Sequence, residues 1–192
     1  MNFLVRIMGT IALEEQATHI LLKNPWKILS NGKWAVVSAP GRADFLNTHQ
    51  DYKGLPVVPI AVNLRTYLFA KPSNGRLLKV ISLDLKELGE QYIDTFEIRE
   101  DVKIRKSKWF GNYLRGVIKA LGEYGFLKNL KGLEVIVKSQ VPIGVGLSSS
   151  AALEVAFLKL LDHLYNLGLT SKEIAELAFQ AENKHIGIPV DD

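Results

Sequence analysis

The sequence predicts a mixed fold that combines β-strands with α-helices, on the strength of three patterns. Leu133, Val135 and Val137 lie two residues apart, which is the spacing of one face of a strand. The segment 153–164 then repeats apolar residues at the i, i+3, i+4 spacing of a buried helix face. Three earlier apolar runs are also typical of strands: 66–70, 77–83 and 92–98.

The overall composition indicates an ordinary globular protein of one domain or slightly more. Of the 192 residues, 47% are hydrophobic and 23% are charged. No apolar run approaches the roughly 18 residues that a membrane span requires, and Glu14 and Glu15 interrupt the apolar opening, so no signal peptide is expected. The absence of cysteine excludes disulfides and thiolate metal sites and fits a reducing cytoplasm. We therefore expect a cytoplasmic protein without a membrane partner.

The net charge of +4 is mildly basic, and its densest cluster lies within residues 103–108. The cluster contains Lys103, Arg105, Lys106 and Lys108. No ladder of aromatic residues accompanies these cations, so a solvated strand end or loop is favoured over a nucleic-acid patch. We expect no nucleic-acid partner.

Turn and cap residues predict how the elements begin and end. A loosely spaced helix is expected over 11–23, and an extended stretch from Trp34 should reach a sharp turn at Pro40-Gly41. The sequence Pro-Ser-Asn-Gly at 72–75 predicts a hairpin turn between the strands on either side.

Two more helices are expected after these strands. Aromatic and apolar residues recur at helical spacing over 109–121, followed by glycines at 122 and 125, and we expect the aromatic side chains to belong to the core. Thr170 and Glu173 have the spacing of a capping box, which predicts a helix start at that point.

The stretch 141–153, VPIGVGLSSSAAL, places a glycine turn between the last predicted strand and the central helix. Gly144 and Gly146 allow the backbone to approach a ligand closely. The serines at 148–150 begin the helix, where free N–H groups and the helix dipole favour phosphate. Their hydroxyl groups can cap the helix, bond phosphate oxygens or ligate a divalent cation.

A plain loop with an N-capped helix is the alternative interpretation of the same stretch. Two common nucleotide motifs do not fit it. No lysine stands beside the serines, as a P-loop requires, and no third glycine completes a dinucleotide-binding fingerprint.

A second polar cluster occupies the segment 39–63. It brings together Arg42, Asp44, Asn47, Thr48, His49, Gln50, Asp51 and Tyr52 beside an apolar strand. A fixed cation, several acceptors and an imidazole suit a site for a polyhydroxylated ligand. A solvent-exposed loop with capping Asp and Asn residues is the alternative that these residues leave open.

Three motifs resemble those of the GHMP kinases, the family of galactokinase and of homoserine, mevalonate and phosphomevalonate kinases. Pro142-x-x-x-Gly146-Leu147 followed by Ser-Ser-Ser-Ala is similar to the ATP-binding motif of the family. The segment 39–63 is similar to the galactokinase signature, with Pro40, Gly41, Arg42, Leu46, His49, Asp51, Tyr52 and Gly54 in register. The stretch 181–189, in which Ala-Glu is followed by Gly-Ile-Pro, resembles the family stretch whose glutamate ligates Mg²⁺.

The resemblance implies an α+β fold like the GHMP kinase N-terminal domain, which is similar to ribosomal protein S5 domain 2. We expect a mixed or antiparallel sheet with helices on one face, forming one such domain over residues 1–192. The resemblance places the C-terminal domain of the family and its third glycine-rich motif outside the chain, so an N-terminal portion is expected.

The resemblance also implies an activity, namely phosphoryl transfer from ATP with Mg²⁺ to a sugar hydroxyl, most simply the anomeric one. Arg42 would be catalytic, and Asp44, Thr48, His49 and Asp51 would bind the sugar substrate. The implied ATP-binding residues are Pro142, Gly144, Gly146, Leu147, Ser148, Ser149 and Ser150. Ser150 and Glu182 would hold the metal. A non-catalytic sensor of sugar and ATP, or an inactive fragment, is the alternative, and a structural or nucleic-acid-binding module is a third.

Several positions depart from the galactokinase pattern. Asp44 stands where galactokinases have Asn, Asn47 where they have Gly, and Thr48 where they have the sugar-binding Glu. The loss of a charged acceptor at Thr48 leaves the sugar open among galactose, arabinose, a uronic acid or another. The family's catalytic Asp lies about a dozen residues beyond the metal ligand, whereas the sequence ends at Asp192.

Overall fold

The computed structural model describes residues 29–30, 35–46, 57–106 and 109–187. The strands are β1 Leu29–Ser30, β2 Ala35–Leu46, β3 Val58–Pro72, β4 Leu77–Ser82, β5 Ile93–Glu97 and β6 Leu133–Ser139. The helices are α1 Leu83–Glu87, α2 Gly111–Glu123, α3 Ser149–Tyr165 and α4 Ser171–Gln180, with a 3₁₀ turn at Phe126–Asn129 and a π-helical segment at Ala181–Ile186. The helix expected over 11–23 lies outside the described residues.

The six strands form one mixed sheet in the order β1-β2-β3-β6-β4-β5. The pair β4 and β6 is parallel, and the other neighbouring pairs are antiparallel. The predicted α+β architecture with a mixed sheet is therefore confirmed. Among the described residues, no helix combines the length and the apolar character needed to cross a membrane.

The main core lies between one face of the sheet and the longer helices. Alternate strand residues such as Val37, Leu68, Val80 and Val135 are buried there, as the period of a strand requires. They meet the apolar faces of α2, α3 and α4, which supply Leu114, Ile118, Leu121, Phe157, Leu161, Ile174 and Leu177. Removing this apolar surface from water is the main force that assembles the layers. A smaller cluster of Val36, Tyr67 and Phe69 with Ile136 lies apart from this core.

The turn predicted at 72–75 does not close a hairpin. Strand β6 lies between β3 and β4, pairing antiparallel with the first and parallel with the second. The amide of Ser73 donates to the carbonyl of Gly132 at 2.8 Å, and the amide of Gly132 donates to the carbonyl of Gly75 at 2.8 Å. The turn residues reverse the chain as predicted, but pairing is decided by burial, and β6 carries the fully buried Leu133 and Val135.

The capping box predicted at the start of α4 is confirmed. The amide of Glu173 donates to Thr170 Oγ1 at 3.2 Å, and the amide of Thr170 donates to Glu173 Oε2 at 2.7 Å. Each residue therefore satisfies a backbone donor that the helix leaves without a partner. The π-helical segment that follows ends at Gly187, whose φ of 75° is in the left-handed region that favours glycine.

A buried ion pair joins β5 to α2 and was not predicted from the sequence. The guanidinium of Arg115 donates two hydrogen bonds to the carboxylate of Asp94, both at 2.8 Å. Gly111 is required beside it, because a Cβ atom there would lie 1.9 Å from Asp94 Oδ2. Trp109, which was expected to be core, is only half-buried and lies under the Arg105 guanidinium at 5.2 Å, whereas Tyr113 packs against the core as expected.

Candidate functional site

Strand β2 carries the first part of the candidate site and does not end at Pro40-Gly41. The sharp turn predicted there is wrong, because the strand continues to Leu46 with a shift of register between Pro40 and Arg42. A proline cannot donate to the sheet and is accommodated at such an irregularity. The strand therefore continues without reversing, and it brings the backbone of Arg42 against Leu147, two residues before α3 begins.

The backbone at Gly41 lies directly against the glycine loop that precedes α3. A Cβ atom at Gly41 would lie 2.8 Å from the carbonyl oxygen of Leu147 and 3.0 Å from a methyl carbon of Val141. The amide of the next residue, Arg42, donates to the same Leu147 carbonyl at 3.0 Å. The two polar segments found in the sequence therefore meet through backbone contacts.

The side chain of Arg42 pairs with Asp44, two residues along the strand. Arg42 Nε lies 3.2 Å from Asp44 Oδ1, and Arg42 Nη2 donates to Oδ2 at 3.4 Å. The arginine side chain is 41% exposed and the aspartate side chain 13% exposed. The carboxylate thus holds a guanidinium that still has access to solvent and to a ligand.

The glycine loop has the backbone geometry that the sequence predicted. Gly144 and Gly146 both have φ of 74°, and in the part of the chain that the structure describes no atom beyond the adjoining residues lies within 4 Å of the Cβ that either would carry. The left-handed backbone, and not lack of space, therefore requires glycine at these positions. Pro142 and both glycines are exposed, whereas Leu147 and the serines 148–150 are half-buried.

Ser148 precedes the first turn of α3 in a conformation unusual for a serine. Its φ and ψ are 54° and 50°, and its side chain makes no capping hydrogen bond. The capping role considered for the serines is therefore absent at the N-cap, because the hydroxyl of a left-handed N-cap is not placed as in the usual extended one. The first intrahelical bond runs from the Ala152 amide to the Ser148 carbonyl at 3.0 Å, so the amides of residues 149–151 precede the ladder.

Glu182 lies in the π-helical segment after α4, at the helix end where the sequence placed it, and is half-buried. Its charge acts on Glu154, a carboxyl group in α3 that is only 1% exposed. Burial, followed by the nearby charge of Glu182, raises the pKa of Glu154 well above its usual value. Neither carboxyl oxygen of Glu154 has a hydrogen-bond partner among the described residues.

Sequence reasoning missed Glu154, although the sequence contained a signal. The residue stands between Leu153 and Val155, inside the apolar series that defines the central helix. An acidic side chain in such a series is expensive to bury unless a partner stabilises it. Assigning Glu154 to the buried face of the helix, together with the apolar residues around it, would have predicted its burial.

The structure brings only part of the predicted site together. The backbone of Arg42 contacts the glycine loop and its side chain pairs with Asp44, and the charge of Glu182 acts on Glu154, which lies in the same helix as Ser150. Thr48, His49 and Asp51 lie outside the described residues, as does Pro189. Within the described ranges, no group of three or more His, Asp or Glu side chains forms a metal site by itself.

Two family matches cover most of the described chain. Residues 112–192 match the family described as GHMP kinases N terminal domain. Residues 29–72 match the galactokinase galactose-binding signature.

Curated relatives are galactokinases that are much longer than this chain. The galactokinase of Roseiflexus sp. (strain RS-1) is 37% identical over 153 residues, which are 80% of this chain and 37% of the relative. The galactokinase of Clostridium beijerinckii is 33% identical over 171 residues, which are 88% of this chain and 42% of the relative. The chain thus spans about two fifths of the length of these relatives.

Solved structures share the fold. Galactokinase of Lactococcus lactis, complexed with galactose, superposes with a TM-score of 0.72 at 30% identity, over 83% of this chain and 40% of that one. Mevalonate kinase of Methanococcus jannaschii superposes with a TM-score of 0.70 over 83% of this chain and 49% of that one. The second match, at 20% identity, supports the fold alone.

Proposed function

We propose that the chain belongs to an ATP-dependent, galactokinase-like sugar kinase, because residues 112–192 match the GHMP kinases N terminal domain and residues 29–72 match the galactokinase galactose-binding signature. The reaction would transfer the γ-phosphoryl group of ATP to a sugar hydroxyl, which we assign as the anomeric hydroxyl. The observation that carries the proposal is the contact of Gly41 and Arg42 with the loop carbonyl of Leu147. This contact supports the proposal because it brings Arg42, a residue of the signature segment, next to the loop that we propose binds phosphate.

The glycine loop and the start of α3 are the proposed ATP site. The left-handed glycines expose the loop backbone, and the amides of residues 149–151 precede the helical hydrogen bonds. Such amides and the positive end of the helix dipole stabilise phosphate oxygens. We assign this role to Pro142, Gly144, Gly146, Leu147, Ser148, Ser149 and Ser150. The strained backbone of Ser148 supports the assignment, because such strain concentrates at ligand sites.

Arg42 is the proposed catalytic residue. Phosphoryl transfer depends on positioning and on neutralising the charge of the transferred group. The partly exposed guanidinium of Arg42 at the edge of the loop suits that task, and its ion pair with Asp44 fixes its orientation. Asp44, Thr48, His49 and Asp51 are proposed to bind the sugar hydroxyls, by the resemblance of their segment to the signature.

A divalent cation, Mg²⁺, fits the oxygen donors on the two helical elements. Ser150 offers a hydroxyl group and Glu182 a carboxylate, and both are donor types that hard cations prefer. The buried carboxyl of Glu154 has no hydrogen-bond partner among the described residues, and the negative charge of Glu182 acts on it, which supports a cation in this region. When bound, the cation would neutralise phosphate charge, while Ser150 and Glu182 would hold it beside the loop.

A non-catalytic sensor of sugar and ATP, or an inactive fragment, is the second candidate. It is favoured by Thr48, which stands where galactokinases have a sugar-binding glutamate. For either candidate we propose a cytoplasmic location. We also propose that residues 1–192 form one GHMP kinase N-terminal domain. The two differ in turnover and not in binding.

Incubation of the purified protein with ATP, MgCl₂ and single sugars tests the proposal. Galactose, arabinose and galacturonic acid are the sugars to compare, with sugar phosphate detected by ³¹P NMR and binding by thermal shift. Formation of a sugar phosphate supports the kinase. Thermal shifts with both ligands but no product would identify a sensor, and indifference to both ligands would contradict either function.

The substitution Arg42→Ala assigns the catalytic role. We expect it to abolish turnover and to preserve the thermal shift given by ATP, because the loop amides remain in place. Arg99→Ala is the matched control, since Arg99 also pairs with an aspartate two residues away but lies on an exposed turn. If Arg42→Ala retains the turnover of the Arg99→Ala protein, the assignment of Arg42 is wrong.

A further inference from the structure

The activity proposed above does not explain the position of Glu154, a buried carboxyl group in α3. Its carboxyl is buried in α3, and its two oxygens have no hydrogen-bond partner among the described residues. A carboxyl group taken out of water without a partner destabilises the fold, whereas an apolar side chain at the same position would stabilise it. A ligand that binds carboxylate oxygens would therefore stabilise the protein at this position.

The surroundings of Glu154 indicate which kind of partner is missing. Ser150 lies four residues earlier in α3, on the same face of the helix. The charge that acts on Glu154 is that of Glu182, a second carboxylate from the segment after α4. Two carboxylates and a hydroxyl group are oxygen donors of the kind that a hard divalent cation binds. The carboxylates repel each other, and a bound cation would offset this repulsion because it attracts both of them.

We propose that Glu154 is an additional carboxylate of the divalent-cation site formed by Ser150 and Glu182. The inference rests on the proposed function for the existence of that site. It adds a ligand from the interior of α3, so that the cation connects the central helix to the end of α4. Binding of the cation would then stabilise the packing of these two helices as well as the nucleotide.

A Mn²⁺ titration tests the inference without any turnover. Binding is measured as the decrease in the EPR signal of free Mn²⁺. The proteins to compare are the wild type, Glu154→Gln, Glu182→Gln and, as a control, Glu176→Gln, whose carboxylate is exposed on α4. We expect Glu154→Gln and Glu182→Gln each to weaken Mn²⁺ binding about tenfold or more. The Glu176→Gln protein should bind Mn²⁺ as the wild type does.

A second variant guards against a simple failure to fold. Glu154→Leu removes the buried carboxyl, so we expect it to unfold at a higher urea concentration than the wild type in EDTA. It should also lose the increase in urea midpoint that Mn²⁺ gives to the wild type.

The outcomes separate this inference from the proposed function. Wild-type affinity for Mn²⁺ in Glu154→Gln, with weakened binding in Glu182→Gln, would overturn the role of Glu154 and leave the proposed site intact. An unchanged Mn²⁺ effect on Glu154→Leu would overturn it as well, as would a wild type that does not bind Mn²⁺. Failure of the proposed function is a different result, namely the absence of both sugar phosphate and ligand-induced thermal shifts.

Discussion

The backbone amide of Arg42 donates a hydrogen bond to the carbonyl oxygen of Leu147 at 3.0 Å. This bond joins strand β2 to the glycine loop without using either side chain. The relative position of the two segments therefore survives substitution of the Arg42 side chain. It depends instead on the absence of a side chain at Gly41, where the two backbones come closest.

Gly41→Ala should disturb this contact. The added methyl group would lie 2.8 Å from the Leu147 carbonyl oxygen, which is closer than real Cβ contacts allow, so the loop must move away. We expect a loss of stability of about 1–3 kcal/mol, as for other overpacked sites, together with weaker ATP binding. Urea unfolding and isothermal titration with ATP measure the two effects.

Gly122→Ala is the control for that substitution. The atoms nearest to its new methyl group would be side-chain carbons of Glu100 and Leu127 at 3.2 Å, and alanine favours the helix that contains it. Stability should stay the same or rise slightly, and ATP affinity should not change. Equal behaviour of the two alanine variants would show that the Gly41 contact has no special role.

Asp44→Asn should change the electrostatics of Arg42 with little effect on the fold. The pair is partly exposed, so its loss should cost at most about 1 kcal/mol. Without the carboxylate, the positive charge of Arg42 is no longer offset, and we expect tighter binding of ATP. Isothermal titration compares it with Asp101→Asn, which removes the partner of Arg99 from a fully exposed pair. Weaker ATP binding in Asp44→Asn would contradict this view of the pair.

Asp94→Asn should destabilise the fold strongly, because it leaves the buried Arg115 without its carboxylate. The expected loss is about 3–5 kcal/mol at pH 7, measured by urea unfolding. Glu97→Gln, on the exposed face of the same strand, is the control and should change stability by less than about 1 kcal/mol. A loss in Asp94→Asn no greater than that of the control would show that the ion pair contributes little.

The same pair predicts how stability depends on pH. Burial opposes ionisation of Asp94, but the hydrogen bonds and charge of Arg115 outweigh it and lower the pKa of the carboxyl. A lowered pKa in the folded state stabilises the protein above the unfolded pKa of about 3.9, and this contribution is lost as the pH falls below that value. Urea midpoints between pH 5 and pH 2.5 should therefore converge for wild type and Asp94→Asn. A constant difference across this range would contradict the shift.

Thr170→Ala should shorten or fray the start of α4. The substitution removes the acceptor of the Glu173 amide and the partner of the Glu173 carboxylate. We expect a loss of about 1 kcal/mol in the free energy of unfolding. Lys172→Ala, which removes only an exposed ion pair with Glu176, should have a smaller effect. Equal losses would show that the capping box is not what stabilises this helix start.

The local elements could be predicted from the sequence because their causes are local. The alternation at 133–137, the helical apolar series after Leu153 and the capping box at Thr170 each act over a few residues. The requirement for glycine at 144 and 146 is also local, since it arises from the backbone angles of the loop itself. These features predicted the mixed fold and the position of the proposed phosphate loop.

Long-range contacts decided the rest. The turn at 72–75 was correctly placed, but only the burial of β6 could exclude a hairpin between β3 and β4. The register shift of β2 at Pro40 and the meeting of Gly41 with Leu147 depend on residues far apart in the chain. That the carboxyl of Glu154 is buried without a hydrogen-bond partner among the described residues is likewise visible only once α3 is packed. The sequence by itself thus determined which segments fold locally, and the tertiary structure decided which backbones and charges meet, because contact energies depend on distance in space.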